Sequence, residues 1–434
     1  MAEDETASDV IVIGGGIAGL SIAYFLAMRN IRVTLLEKGQ LAGEQSSRNW
    51  GFIRQQGRNP LELPMSKLSN DIWRTISTKL EADVEWCEGG NLAVGYSDAD
   101  LDRYAEGAAS AQQNGIDTRV LTAQQVAKLL PAIRGPIRGG LYTANDGHAD
   151  PLKATLAFAK GARQAGVSVR EYCAVNAITT QGGRVTGVET STGSLHADTV
   201  VCAAGAHSGF LSRTAGLNLP QRSMRATVAA TTPLPRFTDL GVWAAGLGIR
   251  QTPDGSVILG RASAGTAEHD LTIESLRHLG LFLPIFMRDR DLLRLRVGSP
   301  LLRDVLRHLP GTQSAKAPFA HTIDHEPTPN SQTVQSSLAL FRQYFPDLAQ
   351  VKIARTWAGM IDATPDIIPV LGEVKSLVGM FFATGFSGHG FGLGPGAGYT
   401  LAELIATGRS AIDLHGFRYE RFGEGDMNTA RKIL

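Results

Sequence analysis

Residues 10–38 read VIVIGGGIAGLSIAYFLAMRNIRVTLLEK, and the fold is decided here. The apolar run VIVI has the length and composition of a buried strand. It enters a glycine cluster in which Gly14, Gly16 and Gly19 form G-x-G-x-x-G, and a helical stretch begins at Ile17 and Ala18. Gly14 permits a tight turn, Gly16 lets the backbone approach a pyrophosphate, and Gly19 lets helix and strand pack closely. The helix start then offers N–H groups and partial positive charge to an anion. A second strand, IRVTLLEK, ends at Glu37, eighteen residues past Gly19. A carboxylate there can accept both hydroxyls of an adenosine ribose and repels a 2′-phosphate. Together these features predict a dinucleotide-binding βαβ unit.

The rest of the chain is larger than that unit requires. Its 434 residues exceed what one compact core organises, which predicts two domains. With 43% hydrophobic and 19% charged residues the composition is that of a globular protein. A formal charge of +1 gives no global field to recruit nucleic acid or an anionic membrane. Cys87, Cys173 and Cys202 are too few for a disulfide framework and lack metal-ligand spacing; Cys173 and Cys202 sit in apolar strand-like runs, and buried thiols in a reducing compartment are expected there. The acidic opening MAEDETASDV predicts no signal or transit peptide, and no apolar run approaches the ~20 residues of a membrane span. The expected location is cytoplasmic.

Farther along, Ser66 to Leu80 and DPLKATLAFAKGARQAG have helical apolar spacing, whereas about 217 to 344 is strand-like with a TPDG turn at Thr252 to Gly255. Two further segments look built for a cofactor. The strand VVCAAGA ends in small residues at Ala203, Ala204 and Gly205, and GFSGHGFGLGPGAG (385–398) precedes a C-terminal helix. A second helix start beside a cofactor has no use for nicotinamide. It suits reduced flavin, which carries negative charge at its pyrimidine edge, and so the expected cofactor is FAD.

The chain resembles the D-amino-acid oxidase (DAO) superfamily of FAD-dependent oxidoreductases, which holds glycine and sarcosine oxidases and bacterial amino-acid dehydrogenases and deaminases. The resemblance rests on DVIVIGGGIAGLSIAYFLA with VTLLEK, QSSRNWGFIRQQGR, DGHADPLKA, HADTVVCAAGAHS, IRQTPDGSVILG, WAGMIDATPDIIPVLG and GFSGHGFGLGPGAG, which run in family order from residue 9 to about 405. It implies an α/β fold: a Rossmann-like FAD-binding domain (1–85, 145–216 and 345–434) and an α+β substrate domain on a mostly antiparallel sheet (86–144 and 217–344). Adenosine contacts are implied at Glu37, Lys38 and Val175. Ser46, Ser47, Arg48, Asn49, Trp50 and Gly51 would pass the isoalloxazine, with packing at Ala204 and Gly205. Trp357, Gly359, Gly385, Phe386, Ser387, Gly388, His389, Gly390 and Phe391 would line the flavin's other side.

Two departures from the family pattern carry information. Members with covalent flavin have a cysteine near the position of Gly359, and none lies there in this chain, so non-covalent FAD is expected. Glycine oxidase and its near relatives place a carboxylate-binding arginine where this chain has Ile361. Flavin oxidation of an amine needs orientation and a dry wall more than acid–base groups, so no catalytic residue is assigned. Anchor candidates are Arg250, on a strand expected to roof the cavity, then Arg54, with Arg58 and Gln56 beside it. Trp50, Trp357 and His389 are wall candidates.

The expected activity is oxidation of the C–N bond of a small amino acid or amine by hydride transfer to flavin N5, giving an imine that hydrolyses, with oxygen or a quinone as acceptor. A 2-hydroxy-acid or glycerophosphate-type dehydrogenase on the same fold, or a flavin-bearing subunit dependent on a partner, stay open. His321 and His325 have i, i+4 spacing, but Pro318, Pro327 and Pro329 argue against a helix, and no metal site is read there. The basic amphipathic stretch 275–310 is read as a solvated helix face, with peripheral membrane contact as the lesser reading.

Overall fold

A computed structural model describes residues 8–262, 266–289, 293–309, 323 and 326–428. A six-stranded sheet runs Val370–Glu373, Met380–Thr384, Thr199–Cys202, Val10–Ile13, Val33–Leu36 and Ser168–Arg170 from edge to edge. All neighbours are parallel except Val370–Glu373, which returns antiparallel to Met380–Thr384. Val10–Ile13 and Met380–Thr384 are buried at every position, as parallel strands covered on both faces must be.

Helix Ile17–Ala27 packs on the first strand and is apolar nearly all round because helices Pro151–Gln164 and Gly390–Thr407 cover its outer side. Here the structure corrects the reading of GFGLGPGAG: the segment does not precede the C-terminal helix but forms its first turns, from Gly390. Its glycines are packing surfaces. A Cβ on Gly398 would lie 2.6 Å from Ser21 Cβ, and one on Gly396 2.7 Å from the Met65 carbonyl. Helix Leu63–Lys79 is thereby seated against the same helix.

The second sheet has ten described strands. Its order is Leu293–Arg296, Ala267–Asp270, Arg222–Thr231, Val257–Arg261, Leu247–Gln251, Gly241–Ala244, Asn91–Gly95, Gly139–Thr143 and Thr118–Thr122, with Ile353–Ala363 alongside Arg222–Thr231. Its pairings are antiparallel apart from two parallel ones. Ile353–Ala363 falls within the 345–434 stretch expected in the FAD-binding domain. It pairs instead with Arg222–Thr231 from Arg222 opposite Ala363 to Thr231 opposite Ile353, because strand pairing is lateral and chain order does not record it.

Ser331–Tyr344 is a helix where a strand-like stretch was expected; Asn330 caps it, its side-chain oxygen accepting from the Gln332 and Thr333 N–H groups at 2.9 and 3.1 Å. Residues 273–309 hold helices Leu279–Asp289 and Ser299–His308 around strand Leu293–Arg296. The stretch exposes apolar as well as charged side chains, with Leu276, Val297 and Leu302 71%, 75% and 63% exposed. His321 and His325 lie outside the described residues. No described helix is long and apolar enough to cross a membrane.

A buried ion pair pins the C-terminal segment to the loop that leads into the edge strand Val370–Glu373. The Arg421 guanidinium, fully buried, donates from Nε and NH2 to both Asp366 oxygens at 2.8 and 3.0 Å, and to the carbonyls of Ile368 and Phe417. Removing one partner strands a charge in the interior. Arg421→Ala is expected to lower unfolding stability by about 3–5 kcal/mol in urea titrations, and an unchanged midpoint would refute the pinning role.

Candidate active site

One elongated cavity lies between the C-terminal ends of the parallel strands and the face of the ten-stranded sheet. Its lining includes Glu37, Lys38 and Val175, then Gly14, Gly16, Ile17 and Ala18, then Ser46, Arg48, Asn49 and Trp50, and finally Gly359 to Asp362 and Phe386 to Phe391.

The glycine turn is built from backbone contact. A Cβ on Gly14 would lie 2.4 Å from the Ala203 carbonyl, and one on Gly19 2.0 Å from the Gly14 carbonyl. Gly16 keeps clear the space before Ser46, whose Oγ would be 2.8 Å from an added Cβ and accepts from the Ile17 N–H at 2.9 Å. Glu37 braces the turn, its two oxygens accepting from the Gly15 and Gly39 N–H groups at 2.7 and 2.9 Å. Burial pushes its carboxyl above the usual carboxylate range.

Short helix Gln45–Arg48 and the turn after it form one wall. Asn49 donates to the Ser46 carbonyl at 2.9 Å and accepts from the Gly51 N–H at 2.8 Å. Gly19, Ser47, Gly51, Trp357 and Gly385 are absent from the lining. Trp357 is not a wall residue: its Nε1 donates to the Arg48 carbonyl at 3.0 Å and so holds the helix in place. Gly385, at φ 68°, turns its N–H to Asp362 at 2.8 Å. Arg48 fills the space beside Gly359, where an added Cβ would come 2.9 Å from Arg48 Cβ.

Gln45, Glu44 and Asp362 were not foreseen at the site. Gln45 donates to Asp362 at 2.9 Å and accepts from the Ala206 N–H at 2.8 Å, joining three cavity segments. Gly205, at φ 50°, has room only because it lacks a Cβ, which would sit 2.1 Å from Gln45 Oε1. Despite the cost of burial, His207 and Lys38 hold the Glu44 carboxyl down at about 2. Gln45 and Asp362 stood inside the segments that carried the family resemblance, but nothing in their spacing revealed that they meet.

At the opposite end Trp50 lies flat on the ten-stranded sheet, over Gly248 and Gly260, where an added Cβ would meet its ring at 3.1 and 2.1 Å. Trp243 and Phe52 join it with ring centroids 5.2 and 6.4 Å away. The Arg54 guanidinium stacks 4.6 Å from the Trp243 ring centre. Arg54, Arg58 and His389 line the cavity with these aromatics. Arg250, the first-choice anchor, does not. It is 3% exposed, lies behind Trp50, and donates from Nε to the Trp50 carbonyl at 2.5 Å. Gln56 is also behind the wall, its amide donating to the Leu141 and Asn91 carbonyls at 2.9 and 3.2 Å.

These residues fit FAD. Bare glycine backbone and a helix start suit a pyrophosphate, Glu37 at a strand end suits a ribose, and the apolar and aromatic walls suit a flat ring system. The DAO sequence model, described as FAD dependent oxidoreductase, matches residues 9–404. The beta subunit of sarcosine oxidase from Arthrobacter sp is 26% identical, covering 98% of this chain and 93% of that protein. Glycine oxidase from Bacillus licheniformis is 25% identical, covering 92% of each. The solved structure of L-amino acid deaminase from Proteus myxofaciens in complex with anthranilate superposes with a TM-score of 0.90 at 26% identity, covering 97% of this chain and 95% of that one.

Glu37→Ala is expected to weaken FAD binding at least tenfold in fluorescence titrations of the apoprotein, since each hydrogen bond to a charged group contributes ~1.5–3 kcal/mol. Unchanged affinity would show that the carboxylate only braces the turn.

Proposed function

The chain belongs to the DAO family of FAD-dependent oxidoreductases, and from that premise we propose that it oxidises the C–N bond of a small amino acid held by its carboxylate on Arg54. When bound, FAD supplies the two-electron acceptor for the C–H bond beside the nitrogen. The protein's part is to bind, orient and keep water out.

One observation carries this reading. Arg54 is a half-buried cation in the aromatic end of the cavity, stacked on Trp243, and its NH1, like that of the adjacent Arg58, is buried with no hydrogen-bond partner among the described residues. Burial and, next, the charge of Arg58 push its guanidinium down to about 9, which still leaves it protonated at neutral pH. A buried donor without a partner costs free energy that an incoming carboxylate recovers. Trp50, Trp243 and Phe52 surround the place where the substrate's carbon atoms would lie. The relatives named for sarcosine, glycine and amino-acid chemistry support the C–N bond as the target.

Arg54→Ala is expected to lower kcat/KM about 100-fold, on the order of 3 kcal/mol, with FAD content unchanged. Arg54→Lys should restore only part, because lysine lacks the bidentate fork. Full activity in Arg54→Ala would overturn the anchor. Anaerobic bleaching of the flavin across amino acids, N-methyl amino acids and 2-hydroxy acids tests the reaction: reduction by hydroxy acids alone would replace the C–N reading.

We also propose that the FAD is not covalently attached, because Gly359 carries no thiol and Arg48 occupies the space next to it. Acid precipitation should leave all flavin in the supernatant, and yellow pellets would refute this. A second reading, dependence on a partner subunit, is favoured by the exposed Leu276, Val297 and Leu302 and by the beta-subunit relatives. Amino-acid-driven bleaching of the purified single chain would remove it.

A further inference from the structure

His389 stands at the start of helix Gly390–Thr407, lines the cavity, and has its Nδ1 3.1 Å from Glu62 Oε1. Glu62 is 1% exposed, and its other oxygen accepts from the Asn59 N–H at 3.2 Å. A carboxylate so fixed accepts a hydrogen bond from Nδ1–H, which keeps the proton on Nδ1 and leaves Nε2 of the same ring as an acceptor. The imidazole is 19% exposed, so its free edge has access to the cavity.

Charge accounting gives this pair a task. Arg54 and Arg58 bring two positive charges to the pocket, and Glu62 and the buried Asp146 bring two negative ones. Asp146 is tied up by the Gln55 and Gln56 N–H groups at 2.8 and 3.2 Å, and Asp362, on strand Ile353–Ala363, by Gln45 and the Gly385 N–H. An entering amino acid is a zwitterion. Its carboxylate meets the guanidinium, but its ammonium must lose a proton before the C–H bond beside it can give up its electrons.

We propose that His389, positioned by Glu62, is the base that takes this proton. An ammonium N–H bond breaks, an N–H bond forms at His389 Nε2, and the electron pair stays on the substrate nitrogen. The imidazolium then rests against the Glu62 carboxylate, so no unpaired charge is left in the interior. This rests on the amino-acid reading above.

In the resting site burial, then Arg58 and Arg54, hold His389 below its ordinary range, with Glu62 opposing them, and the adjoining helix start also disfavours its charged form. It is therefore neutral and ready to accept. A carboxylate that neutralises the guanidiniums removes part of that depression, so carboxylate binding raises His389's proton affinity. The site primes its own base.

The test uses a carboxylate without an amine. Binding of propionate to the FAD-loaded protein, followed by calorimetry in two buffers of different ionisation heat, should take up protons near the ordinary imidazole pKa of about 6.5. Uptake should fade at higher pH, where the liganded imidazole is also neutral. His389→Asn should bind propionate and lose the uptake; Glu62→Gln should keep the backbone hydrogen bond from Asn59 and shift the uptake to lower pH. Uptake that survives in His389→Asn, no uptake in the unsubstituted protein, or no propionate binding at all would each overturn the proposal. The unsubstituted protein alone decides two of these outcomes, so a variant that fails to fold does not leave the matter open. Failure of the amino-acid reading looks different: no amino acid would bleach the flavin, whatever propionate does.

Discussion

The structure depends on bare backbone meeting bare backbone at the glycine turn. Gly14 lies against the Ala203 carbonyl and Gly19 against Gly14, so the end of the first strand, the start of its helix and the end of the strand beside it converge within van der Waals reach. Dispersion and buried amide pairing act there at full strength because no side chain intervenes. Glu37 then ties the second strand to the same turn through the Gly15 N–H. The same logic extends outward: Gly394, Gly396 and Gly398 let the C-terminal helix sit on the first helix and on Leu63–Lys79, which carries one cavity wall to its place against another.

Strand Ile353–Ala363 couples the two sheets. Ile353–Ala363 pairs with Arg222–Thr231 along its length, yet its last residues, Gly359 to Asp362, line the cavity. Asp362 gathers Gln45, Gln221 and the Gly385 N–H around a fully buried carboxyl, which burial pushes upward. A carboxylate with that many donors is satisfied without a cation, so the wall is rigid and the free charges are kept for the far end of the cavity.

At that far end the division of labour follows from burial. Arg250 Nε and the Gln56 amide donate to backbone carbonyls and hold the aromatic wall from behind. Arg54, Arg58 and His389 are left facing the space in front of it. Away from the site, the apolar side chains of 273–309 form an exposed surface on the edge of the ten-stranded sheet, beyond the scattered exposure ordinary for a folded surface.

Local chemistry was legible in the sequence wherever spacing and residue type carry it. Gly14, Gly16, Gly19 and Glu37 specify the βαβ unit because each serves a backbone geometry set within a few residues. The family segments specify most of the cavity lining, from Ser46 to Trp50 and from Phe386 to Phe391. What only the tertiary structure decided is which side of a wall a residue occupies. Arg250 and Arg54 are both arginines near aromatic residues, and nothing in their neighbours says that Trp50 lies between one of them and the cavity. His389 and Glu62 are 327 residues apart and meet only because glycines let two helices close. Local conformation is written in short windows, whereas side-chain orientation across a cavity comes from lateral packing between distant segments, and one sequence carries no local mark of it.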